Sequence, residues 1–307
     1  MVSVIIPTYN HSDFVLKTLA SVFAQTFTDY EVIVVNDGSP DGTTRILRPL
    51  AEAGRIKYIE QPNAGQAAAR NRGLAEAEGE FVAFLDDDDL WPPDSLAQRI
   101  TAARSAGHPV MVYGFNQFVG DLSADRFPGP DAPTGRVQEA FLRQNWMWSP
   151  GQSLMRTEVV RELGGFDTKF WGADDWDLFI RLSGRGEVAF LNECTLLYRK
   201  HAGNASKNTL RMYRNLCRVR HKHLGYMPSP RNWGLWWEAR NSWASSFALP
   251  LRKFAVERFK TGEWLTGILA LASATWASPR AVLGQSRIAD RLRAARALSV
   301  SFRSPPL

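Results

Sequence analysis

Residues 84–89, Phe84-Leu85-Asp86-Asp87-Asp88-Asp89, end an apolar stretch on four consecutive carboxylates. Four like charges at one strand end repel one another unless something positive sits among them, and a hard divalent cation with oxygen ligands is the common answer. Open α/β sheets bind ligands at strand ends, so the same place suits a phosphate-bearing substrate bridged by that cation. The alternative is a solvated acidic turn that caps a helix beginning near Pro93. The neighbouring segments bear on the choice.

Residues 2–7 and 31–36 are short apolar runs rich in β-branched residues and bounded by turn residues, the pattern of buried parallel strands. Each gives way to polar turn chemistry and then to an amphipathic helical pattern. Phe14, Val15, Leu16, Leu19, Val22 and Phe23 form one face after the first strand, with Ser12 or Asp13 placed to cap it, and Ile46, Leu47 and Leu50 do the same after the second. A strand over 56–59, a helix over 66–77, a strand over 81–85 and a helix over 93–106 continue the alternation of a wound, mostly parallel α/β sheet. Three strand ends thereby carry polar clusters: Thr8-Tyr9-Asn10, Asn36-Asp37-Gly38-Ser39 and the aspartates at 86–89. All three are expected on one edge of the sheet.

Five pieces in order, VSVIIPTYN, VIVVNDGSPDGT, NAGQAAARNRGLAEAEGEFVAFLDDDD, GGFDTKFWGADDWDLFIRL and LYRKHAGNAS, resemble the inverting family-2 glycosyltransferases and their nucleotide-sugar-binding GT-A fold. The resemblance covers the first 207 residues and is specific for fold and reaction class, much less so for the sugar. It implies that Pro7, Thr8, Tyr9 and Asn10 line the nucleoside, with Tyr9 as an aromatic wall, and that Asp37 contacts base or ribose. An Asx-turn role for Asp37 is a structural alternative that can coexist with the first. Arg70 is implied to point towards the nucleotide or the acids that hold it, whereas Arg72 reads as a surface helix charge.

The family's Asp-x-Asp motif falls on Asp86 and Asp88. Residues two apart on an extended or turning backbone share a side, so these two converge on ribose and metal while Asp87 and Asp89 point elsewhere. The resemblance implies Mg²⁺ or Mn²⁺ bridging the two phosphates of the donor, with Asp88 as ligand, Asp87 in support and His201 closing over the metal or diphosphate. A structural histidine is the alternative for His201. Inversion needs a base away from the metal, and the resemblance assigns it to Asp175, next to Asp174, whose charge should raise the pair's affinity for a proton. Asp177 reads as serving the first turn of a helix over 178–182.

The net charge of +6 conceals an asymmetry: residues 1–207 hold 20 Lys and Arg against 27 Asp and Glu, and residues 208–307 hold 17 against 4, a balance of −7 against +13. The expected organisation is a GT-A catalytic domain over 1–207, its nucleotide-binding half at about 1–115 and its acceptor half at about 116–207, followed by a helical C-terminal appendage over 208–307. That appendage carries six of the eleven tryptophans, Trp233, Trp236, Trp237, Trp243, Trp264 and Trp276. Aromatic and basic residues at this density suit the surface of an anionic membrane, although helices packed on the core with basic faces in solvent fit as well. The apolar stretch at 264–278 is too short to span a bilayer, which needs roughly 20 residues. No nucleic-acid motif accompanies the basic tail, so nucleic acid is not an expected partner. The segment 120–134 reads as a loop. Cys194 and Cys217 have neither metal-ligand spacing nor a disulfide framework, and the first strand begins at Val2, so a cytoplasmic protein without a signal peptide is expected.

The sequence therefore points to a metal-dependent inverting glycosyltransferase that moves a sugar from a nucleotide-diphosphate donor, UDP first, to a glycan or lipid-linked glycan. A non-catalytic nucleotide-sugar-binding scaffold and a metal-dependent nucleotidyltransferase are the alternatives. A Rossmann dehydrogenase is disfavoured, because no Gly-x-Gly-x-x-Gly follows the first strand.

Overall fold

The computed structural model describes residues 1–105, 107–119, 126–201, 208–227 and 229–277. Residues 120–125 of the expected loop, 202–207 of the last motif and 278–307 lie outside the described residues, as do the side chains of 241–249 and 275–277, Trp243 and Trp276 among them. The chain divides into two compact units, Met1–Lys207 and Asn208–Leu307.

The first unit is built on a seven-stranded sheet. Its strands are β1 (Val2–Thr8), β2 (Tyr30–Asn36), β3 (Lys57–Glu60), β4 (Phe81–Phe84), β5 (Met111–Phe118), β6 (Ser153–Arg156) and β7 (Val188–Tyr198), in the spatial order β3-β2-β1-β4-β6-β5-β7. β1 pairs in parallel with β2 and β4, β2 with β3, and β5 with β7; only the β4–β6 and β5–β6 pairings are antiparallel. The mostly parallel wound sheet is thus what the alternating pattern predicted. Every residue of β1 is buried, which is why its run is apolar without alternation.

Helices fill the crossovers: α1 (Ser12–Phe23), α2 (Thr43–Glu52), α3 (Gln66–Glu76), α4 (Ser95–Ala103), α5 (Gln138–Arg143), α6 (Thr157–Glu162) and α7 (Asp174–Ser183). On α1 the buried stripe is Val15, Thr18, Leu19 and Val22, a period of three to four; Leu16, expected inward, is exposed because Thr18 occupies the inner face. Neither Ser12 nor Asp13 caps this helix. His11 holds the cap position, and the Ser12 amide donates to Asp41 Oδ2 at 3.0 Å instead. α3 lies directly on the sheet: a Cβ at Gly73 would come within 2.4 Å of Ile5 Cγ2, so only glycine permits the approach. α4 begins at Ser95 rather than at 93, after the turn that contains Pro92 and Pro93.

The chain leaves β1 for β2 and β3 on one side and returns to β4 on the other. The crevice at such a reversal, outside the C-terminal ends of the strands, is where open α/β sheets take ligands. The ends of β1, β2 and β4 meet there with their polar clusters, since Thr8 pairs with Asn36 and Ile5 with Phe84.

The second unit contains α8 (Thr209–Leu224), α9 (Trp233–Lys260) and α10 (Trp264–Ala277). α10 buries Ala270 and Ala274 and exposes Trp264, Leu265, Ile268 and Leu269. Among the described residues no helix is long and apolar enough to cross a membrane.

Candidate active site

At the end of β1, Pro7 and Thr8 are buried while Tyr9 and Asn10 emerge, Tyr9 with 46% of its surface exposed. Asn10 adopts φ 58°, left-handed backbone that asparagine tolerates, and its amide donates to Ser39 Oγ at 3.0 Å. The first two strand ends are therefore tied together. Asp37, at the end of β2, is buried and accepts from Gln61 Nε2 at 2.7 Å and from the Ala64 and Gly65 amides at 2.9 and 2.8 Å. It thereby anchors the backbone that leads into α3.

The four aspartates after β4 form a turn, closed by the Asp89 amide donating to Asp86 O at 3.1 Å, in which each carboxylate has a different partner. Asp86 accepts from Arg70 Nη2 at 2.6 Å, from Gln66 Nε2 at 2.9 Å and from Ser149 Oγ at 3.1 Å. Asp87 Oδ1 lies 2.8 Å from His11 Nδ1, and its Oδ2 takes the Tyr9 amide at 3.3 Å. Asp88 Oδ2 lies 2.7 Å from His201 Nε2. Asp89, fully buried, accepts from the Arg199 amide at 2.9 Å. Thr18 Oγ1 lies 2.8 Å from both Asp87 O and Asp89 O, so α1 grips the turn from beneath.

These contacts set the proton affinities. Burial raises Asp88 above the ordinary carboxylate range, the charges of Asp86 and Asp87 push the same way, and His201 opposes them. Burial, then Asp88 and Asp86, hold Asp89 well above its ordinary value. His11 is raised by its hydrogen bond to Asp87, against a smaller lowering by burial.

α7 presents the second acidic cluster. It starts at Asp174, earlier than expected, so Asp174, Asp175 and Asp177 all lie in its first turn, where the exposed N–H groups favour negative charge. Asp177 is fully buried and pairs with Arg181 Nε at 2.8 Å. Asp174 is buried and accepts from Arg70 Nη1 at 2.9 Å. Arg70, 3% exposed, thus bridges Asp86 and Asp174. Burial works against its charge, but the two carboxylates outweigh it and hold the guanidinium above its ordinary pKa. Asp175 is half-buried and has no ion pair among the described residues; its Oδ1 takes the Trp176 amide at 2.6 Å. Burial, and secondarily the charge of Asp174, push it up to about 7, with Arg70 as the moderating charge.

Among the described residues no group of three or more His, Cys, Asp or Glu side chains forms a metal cage. Mg²⁺ demands less than a cage, since it usually binds one or two carboxylates plus substrate phosphates and water. Asp88 Oδ2 and His201 Nε2, 2.7 Å apart, offer one carboxylate oxygen and one imidazole nitrogen to such a partial set.

A sequence model described as Glycosyl transferase family 2 matches residues 3–164, more than half of the chain. The chain belongs to that family. A relative from Bacillus subtilis, the putative teichuronic acid biosynthesis glycosyltransferase TuaG, is 43% identical over 232 residues, 71% of this chain and 89% of its own length. Other curated relatives are matched over 66%, 22%, 21% and 30% of their lengths, so the chain spans between about a fifth and two thirds of them. Two solved structures share the fold. The mannosyltransferase PcManGT from Pyrobaculum calidifontis, in complex with GDP-Man and Mn²⁺, superposes with a TM-score of 0.62 at 22% identity, covering 97% of this chain and 80% of that one. S. aureus TarS 1–349 in complex with UDP gives 0.59 at 21% identity, with 92% and 82% covered. The first unit is therefore a family-2 chain with a GT-A-type fold.

Of the site residues expected from the sequence of this family-2 chain, Pro7 to Asn10, Asp37 and Asp86 to Asp88 lie at or just past the ends of β1, β2 and β4, Arg70 lies on α3, Asp174 and Asp175 open α7, and His201 follows β7. Arg72, read as a surface charge, is 52% exposed and pairs with Glu76 one turn away. Five contributors were not singled out. His11 could have been noticed, as a titratable residue just past a strand end. Thr18 is a polar residue within the apolar pattern of α1, with nothing local to mark its two carbonyl partners. Ser149 and Arg199 reach the aspartate turn from distant segments. Asn71 holds the backbone of Phe166 through its amide, donating to Phe166 O and accepting from Phe166 N at 2.8 Å each, and Gly165 (φ 69°) passes so close that a Cβ there would lie 2.3 Å from Asn71 Oδ1.

Proposed function

We propose that this chain is a metal-dependent inverting glycosyltransferase that transfers a sugar from a nucleotide-diphosphate donor, UDP first, to a hydroxyl of a glycan or lipid-linked glycan. The observation that carries the reading is the Arg70 bridge, which fastens the start of the aspartate turn (Asp86) to the start of α7 (Asp174) and so makes two acidic clusters, 88 residues apart in sequence, into one site. In this reading residues 1–115 bind the donor and residues 116–207 face the acceptor.

Tyr9 offers its exposed ring to the base. Asp37 has three donors on its two oxygens and retains lone-pair capacity for an imide N–H or ribose hydroxyl, the chemistry that favours uridine. Asp86 turns to the ribose, and Asp88 with His201 would hold Mg²⁺ or Mn²⁺. Such an ion, when bound, neutralises charge on a departing diphosphate. Asp175 lies outside the aspartate turn, as inversion requires of the group that deprotonates the attacking hydroxyl. With a pKa near 7 it is poised for general-base work at neutral pH. Arg70 keeps Asp175 from rising further and fixes Asp174 beside it.

The reading is tested by incubating the full chain and Mn²⁺ with UDP-, GDP- and dTDP-sugars in the presence of a panel of methyl pyranosides. Release of nucleoside diphosphate in step with a new glycoside is expected. Release of pyrophosphate would move the chain to nucleotidyl transfer, and binding without turnover would make it a scaffold.

For the second unit the reading is peripheral attachment to an anionic membrane on its cytoplasmic face. The 208–307 segment is strongly basic, and α10 exposes Trp264, Leu265, Ile268 and Leu269 on the side opposite Ala270 and Ala274. Sedimentation with liposomes is expected to rise with acidic-lipid content and fall with salt, because exposed charges are screened beyond a Debye length of about 8 Å at physiological ionic strength. Protein that stays in solution with anionic liposomes at low salt would remove this attachment.

A further inference from the structure

Two large aromatic residues of the first unit, Tyr9 and Trp148, are exposed next to groups that hydrogen-bond the aspartate turn. Tyr9 is tied to Asp87 through its amide. Trp148, 47% exposed, directly precedes Ser149, whose hydroxyl donates to Asp86 at 3.1 Å. Nothing in the donor reading uses Trp148. An indole left half in water costs free energy that a monomer recovers only by covering it.

The ring is not a loose surface residue. It packs edge-on against Phe118, Phe127 and Tyr198, with centroids 5.3, 6.0 and 5.7 Å away and interplanar angles of 77°, 66° and 70°. These geometries are the favoured edge-to-face kind. Its backbone is fixed as well: the Trp148 amide donates to Gln152 Oε1 at 2.7 Å, and Ser149 and Gln152 close a capping box around the short 3₁₀ turn Pro150–Gln152. Beneath that turn, the buried Arg99 donates to Gly151 O at 3.2 Å and Ser153 O at 2.7 Å. Three rings and a pinned backbone therefore hold a flat apolar surface in one orientation.

What that surface faces follows from Asp86. This one carboxylate accepts from Ser149 on the Trp148 side and from Arg70 on the α7 side, and its charge raises the proton affinity of Asp175. From the residue next to Trp148, two hydrogen-bonded steps lead to α7, Ser149 to Asp86 and Arg70 between Asp86 and Asp174, and Asp174 directly precedes Asp175. Pyranose rings carry a face of C–H groups that bear partial positive charge, and the negative face of an indole accepts them, while the ring's hydroxyls stay at its edge for polar partners.

We propose that Trp148, buttressed by Phe118, Phe127 and Tyr198, is the stacking platform for the acceptor's terminal sugar ring, and that it selects a pyranose with one unbroken C–H face. The platform rests on the glycosyl-transfer reading, because it presupposes an acceptor hydroxyl at Asp175. It positions the ring, and Asp175 takes the proton.

The test compares wild type, Trp148→Ala and Trp148→Phe in full-length protein with Mn²⁺, using UDP- and GDP-sugars as donors and methyl pyranosides as acceptors. Donor KM and acceptor KM are measured separately, and thermal unfolding reports whether each variant folds. Trp148→Ala is expected to raise acceptor KM about tenfold with donor KM within twofold of wild type, and Trp148→Phe to restore most of the loss. Unchanged acceptor KM in a folded Trp148→Ala overturns the platform, as does an equal rise in both KM values, which would place the ring on the donor. If donor binds but no pyranoside is glycosylated, the sugar platform is overturned while donor recognition stands. If UDP and GDP fail to bind at all, the glycosyltransferase reading itself falls.

Discussion

The aspartate turn after β4 and the acidic start of α7 carry the same residue type in the same crowded spacing, yet the structure treats them differently. In the turn, Asp86, Asp87 and Asp88 each meet a cationic or titratable side chain, Arg70, His11 and His201, and Asp89 meets a backbone amide. At α7, Asp174 shares the Arg70 guanidinium and Asp177 has Arg181, but Asp175 meets a backbone amide and has no ion pair among the described residues. The carboxylates of the turn are each matched to a partner on another element, whereas Asp175 is left half-buried next to another acid. Under the proposed function, the partners alone divide one residue type between binding and catalysis.

The largest effect expected from this contrast is at Asp175. Asp175→Asn preserves shape and removes the acceptor of the proton, so transfer should fall by roughly 10²-fold or more while the donor dissociation constant, read by calorimetry, is unchanged. Loss of donor binding would erase the division between the two clusters. Asp88→Ala should do the reverse. Nucleotide affinity should weaken on the order of 10- to 100-fold in Mn²⁺ and hardly at all in EDTA; equal weakening in both would falsify the metal role.

A smaller effect separates the bridge from its neighbour on the same helix. Arg70→Met leaves the buried Asp174 and the partly buried Asp86 without their shared cation, which should cost about 3 kcal/mol of unfolding free energy. Arg72→Met removes only an exposed pair one turn from Glu76 and should cost less than about 0.5 kcal/mol. Similar denaturation midpoints for the two variants would show that Arg70 does not bind the clusters together.

Much of the site at the ends of β1, β2 and β4 was legible because it is local. The buried runs at β1, β2 and β4 read as strands from their own residues, and parallel pairing then carries their polar ends to one edge. The relation between the clusters was not legible. Arg70 was expected near the acids, but its simultaneous contact with Asp86 and Asp174 depends on how α3 packs on β1, a closeness set by Gly73. The Leu16 error has the same origin. A hydrophobic pattern records which residues prefer burial, and a threonine with two backbone carbonyls to serve can displace a leucine from the inner face. Trp148 passed unnoticed because its significance lies in three rings from separate strands and loops, none of which is near it in sequence except through the fold.

The dependence of turnover on pH tests the central claim most directly. Only the ionised form of Asp175 can accept the hydroxyl proton, and burial with Asp174 alongside raises its pKa to about 7, so kcat/KM measured with saturating Mn²⁺ should climb with pH and level off above an apparent pKa near 7. The residual activity of Asp175→Asn should lose that limb. A wild-type profile already flat from pH 5.5 to 8, or an unaltered limb in the asparagine variant, would contradict the assignment of Asp175 as the proton acceptor.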